Sequence, residues 1–280
     1  MQDIFCGQKM TNIVITGCST GIGLATAKYL KERDIKVYPT ARQANDVSML
    51  KALGFTEAMQ LDVRHADQIS HVIEQVLKKE EHIDVWFNNA GYGQPGMLED
   101  IATEHLKAQF ETNVLGLHEC TRQILPVMRK QGHGKIIQHS SVLGLVTLAG
   151  RGAYNASKYA VEGLTDTLRQ ELQDTNIYPV LLNTGPIISN FRKNAMQQLR
   201  EHVDIENSRF KAKYQKSLSA QKSQVPFSEE ADAVAKVVYK IIMTERPKPR
   251  YYITKATYIL GYLKRILSTT YLDNILLKIG

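Results

Sequence analysis

Apolar runs of five or six residues alternate along this chain with amphipathic stretches at least twice as long, and that alternation constrains its fold more than any other feature. NIVIT (12–16), KVYPTA (36–41), AMQLDV (58–63), IDVWF (83–87), KIIQHS (135–140) and YPVLLN (178–183) read as strands, and RYYITK (250–255) as a last one. Between them lie helix-like segments: GLATAKYLKERD, HADQISHVIEQVLKKEE, the long TEHLKAQFETNVLGLHECTRQILPVMRKQG and residues 153–173. Such alternation implies βαβ units, whose right-handed crossovers lay strands parallel with helices on both faces. The expected fold is α/β: a doubly wound, mostly parallel seven-stranded sheet. Pro39 removes one ladder hydrogen bond from the second strand, near whose end it lies. Residues 187–228 are polar and irregular, show no clear strand, and read as a helical lid over a site rather than a second domain.

A chain of 280 residues suits one domain, 1–280, with a core over 11–190, the lid over 187–228 and a C-terminal extension over 256–280. Its three cysteines, Cys6, Cys18 and Cys120, are widely spaced, which argues for a reducing compartment and against a disulfide framework. The N-terminus lacks the basic segment and apolar run of a secretory signal, and no apolar stretch is long enough to span a bilayer, so the expected location is the cytoplasm. The eight histidines form no HExxH or similar ligand pattern, so no metal is expected. The net charge of +7 belongs mostly to the tail, where seven basic residues from Arg246 onward face Asp273 alone. These residues form no groove motif with interleaved aromatics, which argues against nucleic acid as a partner.

The first strand runs into TGCSTGIG, where Gly17, Gly21 and Gly23, with Ser19, Thr20 and Ile22 between them, join strand to helix. Backbone amides and a helix N-terminus can approach a pyrophosphate there if side chains stay out of the way. The spacing G-x-x-x-G-x-G departs from the dinucleotide fingerprint, and no Gly-Lys-Ser/Thr follows to suggest an ATPase. Strand four runs into NNAG (88–91), and strand five ends in Ser140 and Ser141, at the carboxyl edge where parallel sheets bind ligands. In YNASK, Tyr154 and Lys158 stand one helical turn apart on one face. A unit charge about 4 Å from the phenol is worth roughly 4 kcal/mol at an effective dielectric near 20, or close to three pKa units. The lysine is therefore expected to bring the phenol near neutrality, where general acid–base chemistry works best. Singly, each feature also reads as an ordinary turn or a solvated pair. YYITK (251–255) repeats the Tyr–Lys spacing in an extended segment and is assigned no role.

In register on successive βα units, TGCSTGIG, NNAG, Ser141 thirteen residues before Tyr154, and YNASK resemble the short-chain dehydrogenase/reductase family over roughly residues 11–190. The sequence is most similar to its hydroxysteroid and retinol dehydrogenase-like branch and to bacterial NADP-dependent aldehyde reductases. The resemblance implies a Rossmann-like sheet and hydride transfer between nicotinamide and a carbonyl or alcohol. It makes Tyr154 the proton donor or acceptor, Lys158 its partner and a ligand of the nicotinamide ribose, and Ser141 the hydrogen-bond donor to the substrate oxygen. Asn113 would help to hold a water linking Lys158 to solvent. Asn89, Ala90 and Gly91 would line the cofactor cleft, Asp62 and Val63 would meet the adenine, and Gly185, Pro186 and Ile188 would hold the nicotinamide. The segment NTGPIIS departs from the family pattern, with Thr184 in a proline position and Ser189 in place of a threonine.

Cofactor choice follows from PTAR at the end of strand two. An NAD enzyme places an acid there; this chain has Ala41, then Arg42, whose guanidinium suits a 2′-phosphate, so NADP is expected. In the tail, Ile259, Leu263, Ile266, Leu267, Leu272, Ile275, Leu276 and Ile279 recur at helical spacing among Lys264, Arg265 and Lys278. That pattern fits either packing over the substrate cleft or another subunit, or peripheral contact with a membrane. Both suit a hydrophobic carbonyl or alcohol substrate. The family resemblance adds a homo-oligomer paired through helices around 103–129 and 153–173. Two other readings compete: a silent dinucleotide-binding sensor or scaffold, and a 3-oxoacyl-carrier-protein-type reductase docked through the basic tail.

Overall fold

The computed structural model describes residues 11–219 and 226–279; Cys6, lid residues 220–225 and Gly280 lie outside them. Strands β1 (Asn12–Ile15), β2 (Lys36–Ala41), β3 (Met59–Gln60), β4 (Val85–Asn88), β5 (Gly134–Ser141), β6 (Ile177–Thr184), β7 (Ile187–Ile188), β8 (Glu229–Glu230) and β9 (Arg250–Ile253) alternate with eleven α-helices among the described residues. Seven strands form one sheet in the order β3-β2-β1-β4-β5-β6-β9, and every pairing is parallel. The chain winds one way from β1 to β3 and the other way from β4 onward. This places a topological switch point between β1 and β4, outside whose carboxyl ends such sheets bind ligands.

The sheet is buried on both sides because successive strand residues point to opposite faces. Ile13 and Ile15 face one core, built with Leu30 of α1 (Gly21–Lys31), Leu50 of α2 (Ala44–Ala52) and Val234, Val238 and Ile241 of α9 (Ala231–Met243). Val14 and Trp86 face the other, with Val72 and Val76 of α3 (Ala66–Glu80) and Ile124 and Met128 of α5 (Leu117–Gln131). Pro39 sits inside β2 opposite Ile15, and pairing with β3 starts only beyond it, at Thr40 opposite Met59.

Four expectations are corrected. AMQLDV pairs over two residues only, because Leu61 makes one more bond to Ala41 and the chain then turns at Asp62. The long helix expected over 103–132 is divided into α4 (Thr103–Phe110) and α5 by a π-helical segment, Glu111–Gly116. The lid carries α7 (Phe191–His202) and α8 (Lys211–Ser219) as expected, but β7 pairs in parallel with β8 at its two ends. The tail breaks at Leu267 and Ser268 into α10 (Lys255–Ile266) and α11 (Thr269–Ile279).

Candidate active site

The glycine turn is built by contact with the NNAG turn. Gly17 has φ +73°, and a Cβ there would lie 2.9 Å from Ala90 Cα. A Cβ on Gly23 would lie 2.3 Å from the Gly17 carbonyl oxygen and 2.7 Å from Asn89 Nδ2. Asn89 Nδ2 donates to the carbonyls of Thr16 and Gly17, both at 2.9 Å, while Thr16 Oγ1 accepts from the amides of Asn89 and Ala90 at 3.0 and 2.9 Å. Thr20 precedes α1 without a side-chain cap, and the first turn holds no acidic residue. Its orphan amides and positive dipole end therefore suit a pyrophosphate, with Ser19, Thr20, Gly21 and Ile22 around them. Gly21 also stands close to Ser189, so the segment after β6, with Gly185, Pro186 and Ile188, closes on the same turn.

Ser141, Tyr154 and Lys158 meet at the carboxyl edge of β5, Tyr154 and Lys158 projecting from α6 (Gly152–Glu171). Ser141 Oγ accepts from Leu143 N at 3.1 Å and hydrogen-bonds Tyr154. Lys158 Nζ donates to the His139 carbonyl at 2.6 Å and lies 5.6 Å from the centroid of the Tyr154 ring. In this geometry the expected lowering of the Tyr154 pKa does not occur. Burial pushes the phenol up to about 12, against the opposing hydrogen bond from Ser141. Burial also pushes Lys158 down to about 8, opposed by the charge of Glu162. The ammonium points at a carbonyl rather than the phenol, and its own charge is weakened by desolvation.

Sequence reasoning missed the groups that hold this pair. Glu162, one turn beyond Lys158, is buried and accepts from Ser140 Oγ, from Asn183 Nδ2 at 2.6 Å and from Arg250 Nη1. Arg250 also pairs with Asp166 at 3.2 Å, so Lys158, Glu162, Arg250 and Asp166 form a row of alternating charge along α6. His139 bridges Asn89 Oδ1 and Thr184 Oγ1, both at 3.1 Å, and burial holds its pKa down near 3, so it stays neutral. The one available signal was a histidine in a strand otherwise read as a buried parallel run. Asn113 lies in the π-helical segment, where Nδ2 donates to Tyr92 O at 2.9 Å and Ser157 Oγ at 3.2 Å, and Oδ1 accepts from Tyr92 N at 3.1 Å. It thereby ties the chain just beyond Gly91 to α6.

Beyond the carboxyl end of β2, Arg42 is exposed, with no acid at Ala41. The Asp62 carboxylate is engaged by Arg64, which reaches Oδ2 through Nη2 at 2.6 Å and Oδ1 through Nε at 3.0 Å. That pairing holds the Asp62 carboxyl below the usual range. Val63 is buried against Gly116. Burial raises the Tyr92 phenol, while the charges of Arg64 and Arg42 pull it the other way, so both guanidinium groups act on one edge of the cleft.

Two elements wall the catalytic end. Phe191, at the start of α7, sets its ring 5.5 Å from that of Tyr154. The lid is anchored by His202 to Gln94 at 2.7 Å and by Tyr214, which donates to Asp100 at 2.6 Å and accepts from Met97 N at 2.7 Å. From the tail, Leu260, Leu263, Leu267, Leu272 and Leu276 pack on Val142, Val146 and Leu148, in the loop that follows Ser141. An open cavity of about 770 Å³, lined by Met97, Leu148, Asn155, Tyr159 and Phe210 among others, includes neither Ser141 nor Tyr154 nor Lys158. The titratable groups and the glycine turn converge instead at the sheet edge, which makes that edge the candidate site. Among the described residues no group of three or more His, Cys, Asp or Glu is placed to hold a metal ion.

Fold and site together define a doubly wound α/β protein with a tyrosine, a lysine and a serine gathered at the carboxyl edge of its sheet. Residues 11–200 match the short chain dehydrogenase family, and the chain belongs to it. It is 34% identical over 98% of its length to the uncharacterized oxidoreductase YbbO of Escherichia coli, covering 97% of that protein. It is 30% identical to human 17-beta-hydroxysteroid dehydrogenase type 1, with 85% of this chain and 78% of the human protein covered. A solved short-chain dehydrogenase from Streptomyces avermitilis superposes with a TM-score of 0.76 at 25% identity, covering 96% of this chain and 94% of that one.

Proposed function

We propose that this protein is an NADP(H)-dependent reductase of hydrophobic aldehydes or ketones. The observation that carries the reading is the convergence of Ser141, Tyr154 and Lys158 beside a glycine turn whose bare helix N-terminus suits a pyrophosphate. A bound nicotinamide supplies or accepts the hydride; the chain's own residues bind, orient and move the proton. With its pKa near 12, the buried Tyr154 keeps its proton at neutral pH, which suits donation to a carbonyl oxygen during reduction. Ser141 donates a hydrogen bond to the same oxygen as charge develops on it, and Lys158 holds positive charge beside the pair. NADP is favoured over NAD by the exposed Arg42, by Arg64 nearby and by the missing acid at Ala41.

The apolar surroundings of the catalytic end, Phe191 from the lid and the leucine-lined tail helices, suit a hydrophobic carbonyl. Leu115, Tyr159 and Leu164 are exposed on the π-helical segment and on α6, and support self-association through those elements. No helix among the described residues is long and apolar enough to cross a membrane; a cytoplasmic protein with peripheral membrane contact fits the same features. The test follows oxidation of NADPH and NADH with short and long aldehydes and with sterol or retinoid ketones, beside Tyr154→Phe. Turnover with NADPH that vanishes in the variant supports the reading. Tight NADPH binding without turnover on any carbonyl would refute it.

A further inference from the structure

The tail helices are apolar on two sides. Toward the body, Leu260, Leu263 and Leu267 of the α10 region and Leu272 and Leu276 of α11 fill the cluster over the loop after Ser141. On the opposite side of α10, Tyr258, Ile259, Tyr262 and Ile266 recur at three- and four-residue steps and are 60%, 49%, 71% and 65% exposed. A helix at the surface of a water-soluble protein ordinarily turns charge outward where this one turns tyrosine and isoleucine. Tyr271, Leu277 and Ile279 extend the exposed apolar surface onto α11.

The charge on these helices selects the partner. Lys255, Lys264, Arg265 and Lys278 are exposed around the apolar stripe, and Asp273 is the sole acidic residue of both helices. None of the four forms an ion pair among the described residues. Lys255 and Arg265 share the outward face with Tyr258, Tyr262 and Ile266, at the two ends of the stripe. A second copy of the same face would bring like charges together, whereas an anionic bilayer offers apolar depth to the isoleucines, an interfacial layer to the tyrosines and phosphate to the basic rim.

We propose that the outward face of α10 and α11 docks the protein on anionic lipid, with these helices lying in the headgroup plane. Their inward faces border the loop that follows Ser141, so docking brings the catalytic end close to the lipid. The corollary that the substrate is a lipid-borne carbonyl rests on the proposed function above; the docking itself does not.

The experiment is co-sedimentation of the full chain with vesicles of phosphatidylcholine alone and of phosphatidylcholine with phosphatidylglycerol, at low and high salt. The expected result is pelleting with the anionic vesicles only, weakened by salt. Each basic residue at such a surface is worth roughly fivefold in affinity. Lys255→Glu with Arg265→Glu should therefore weaken binding by about twentyfold or more. Tyr262→Ser with Ile266→Ser should weaken it as well, and both pairs should keep normal NADPH turnover in the absence of vesicles. No pelleting on anionic vesicles, or pelleting equal on both vesicle types and indifferent to charge reversal, would overturn the proposal. So would a dimer in sedimentation velocity that Tyr262→Ser with Ile266→Ser dissolves. Anionic-vesicle binding in a protein that reduces no carbonyl would leave the docking standing and remove the proposed activity.

Discussion

Replacing Glu162 with Gln keeps the shape of the side chain and one accepting oxygen, for Ser140 and Asn183, while it removes the charge and puts an amide NH2 in place of the oxygen that accepts from Arg250. Lys158 is already pushed down to about 8 by burial, and Glu162 is the group that opposes the fall. Residues four apart on a helix hold their Cβ atoms roughly 5–6 Å apart. At about 6 Å and an effective dielectric near 20, a unit charge is worth roughly 3 kcal/mol, or about two pKa units. Arg250, left without Glu162, adds repulsion of the same sign. Lys158 should then fall from about 8 toward roughly 6.

The sign follows from the lysine, whose charged form is lost as pH rises through its depressed pKa. At pH 7 the charged fraction would drop from about nine in ten to about one in ten, giving roughly a tenfold loss of kcat/KM that closes on acidification. The assay is kcat/KM for carbonyl reduction between about pH 5 and about pH 9, with NADPH Kd measured at each point. The alkaline limb should move from near 8 in the natural protein to near 6, and Glu162→Asp should largely restore it. A uniform fall in rate with the limb unmoved would refute the electrostatic role and leave Glu162 a purely structural residue.

Other expected outcomes use the same geometry. Arg42→Asp should weaken NADPH roughly tenfold or more and turn the preference toward NADH, read as a ratio of Kd values; an unchanged NADPH Kd would remove Arg42 from the 2′-phosphate site. Gly23→Ala forces a Cβ to within 2.3 Å of a backbone oxygen, so the glycine turn must shift. The cost of about 1–3 kcal/mol should appear as about tenfold to hundredfold weaker NADPH binding in a titration. Arg250→Met leaves Glu162, whose side chain is 11% exposed, without its cationic partner. A loss of roughly 3–5 kcal/mol is expected, seen as a Tm lower by about 10 °C in thermal unfolding.

Local features of the chain were legible because they rest on periodicity and on residue types that few backbones tolerate otherwise. NIVI and VWFN read as buried strands because a parallel sheet covered on both faces leaves no polar side to alternate with. The glycine turn was legible because Gly17 needs φ +73° and Gly23 has no room for a Cβ. The Tyr154–Lys158 spacing was legible as one turn of helix. The division of the helix at Glu111–Gly116 was not, since the apolar period runs through it and the π-helical turn is set by what Asn113 bonds across space.

By itself, then, the sequence determined the alternation of the seven sheet strands with helices, and placed Ser141, Tyr154 and Lys158 as candidates at one sheet edge. Tertiary structure alone decided the electrostatics of that set. Lys158 turned to the His139 carbonyl, and Glu162 met Arg250 from 88 residues away. It also split the tail's single apolar pattern into an inward face that walls the site and an outward face left to another partner. The physical reason is common to all of these. A pKa and a packing face depend on burial and on neighbours brought close through space, and a one-dimensional pattern carries the period of a helix but not the identity of what it packs against.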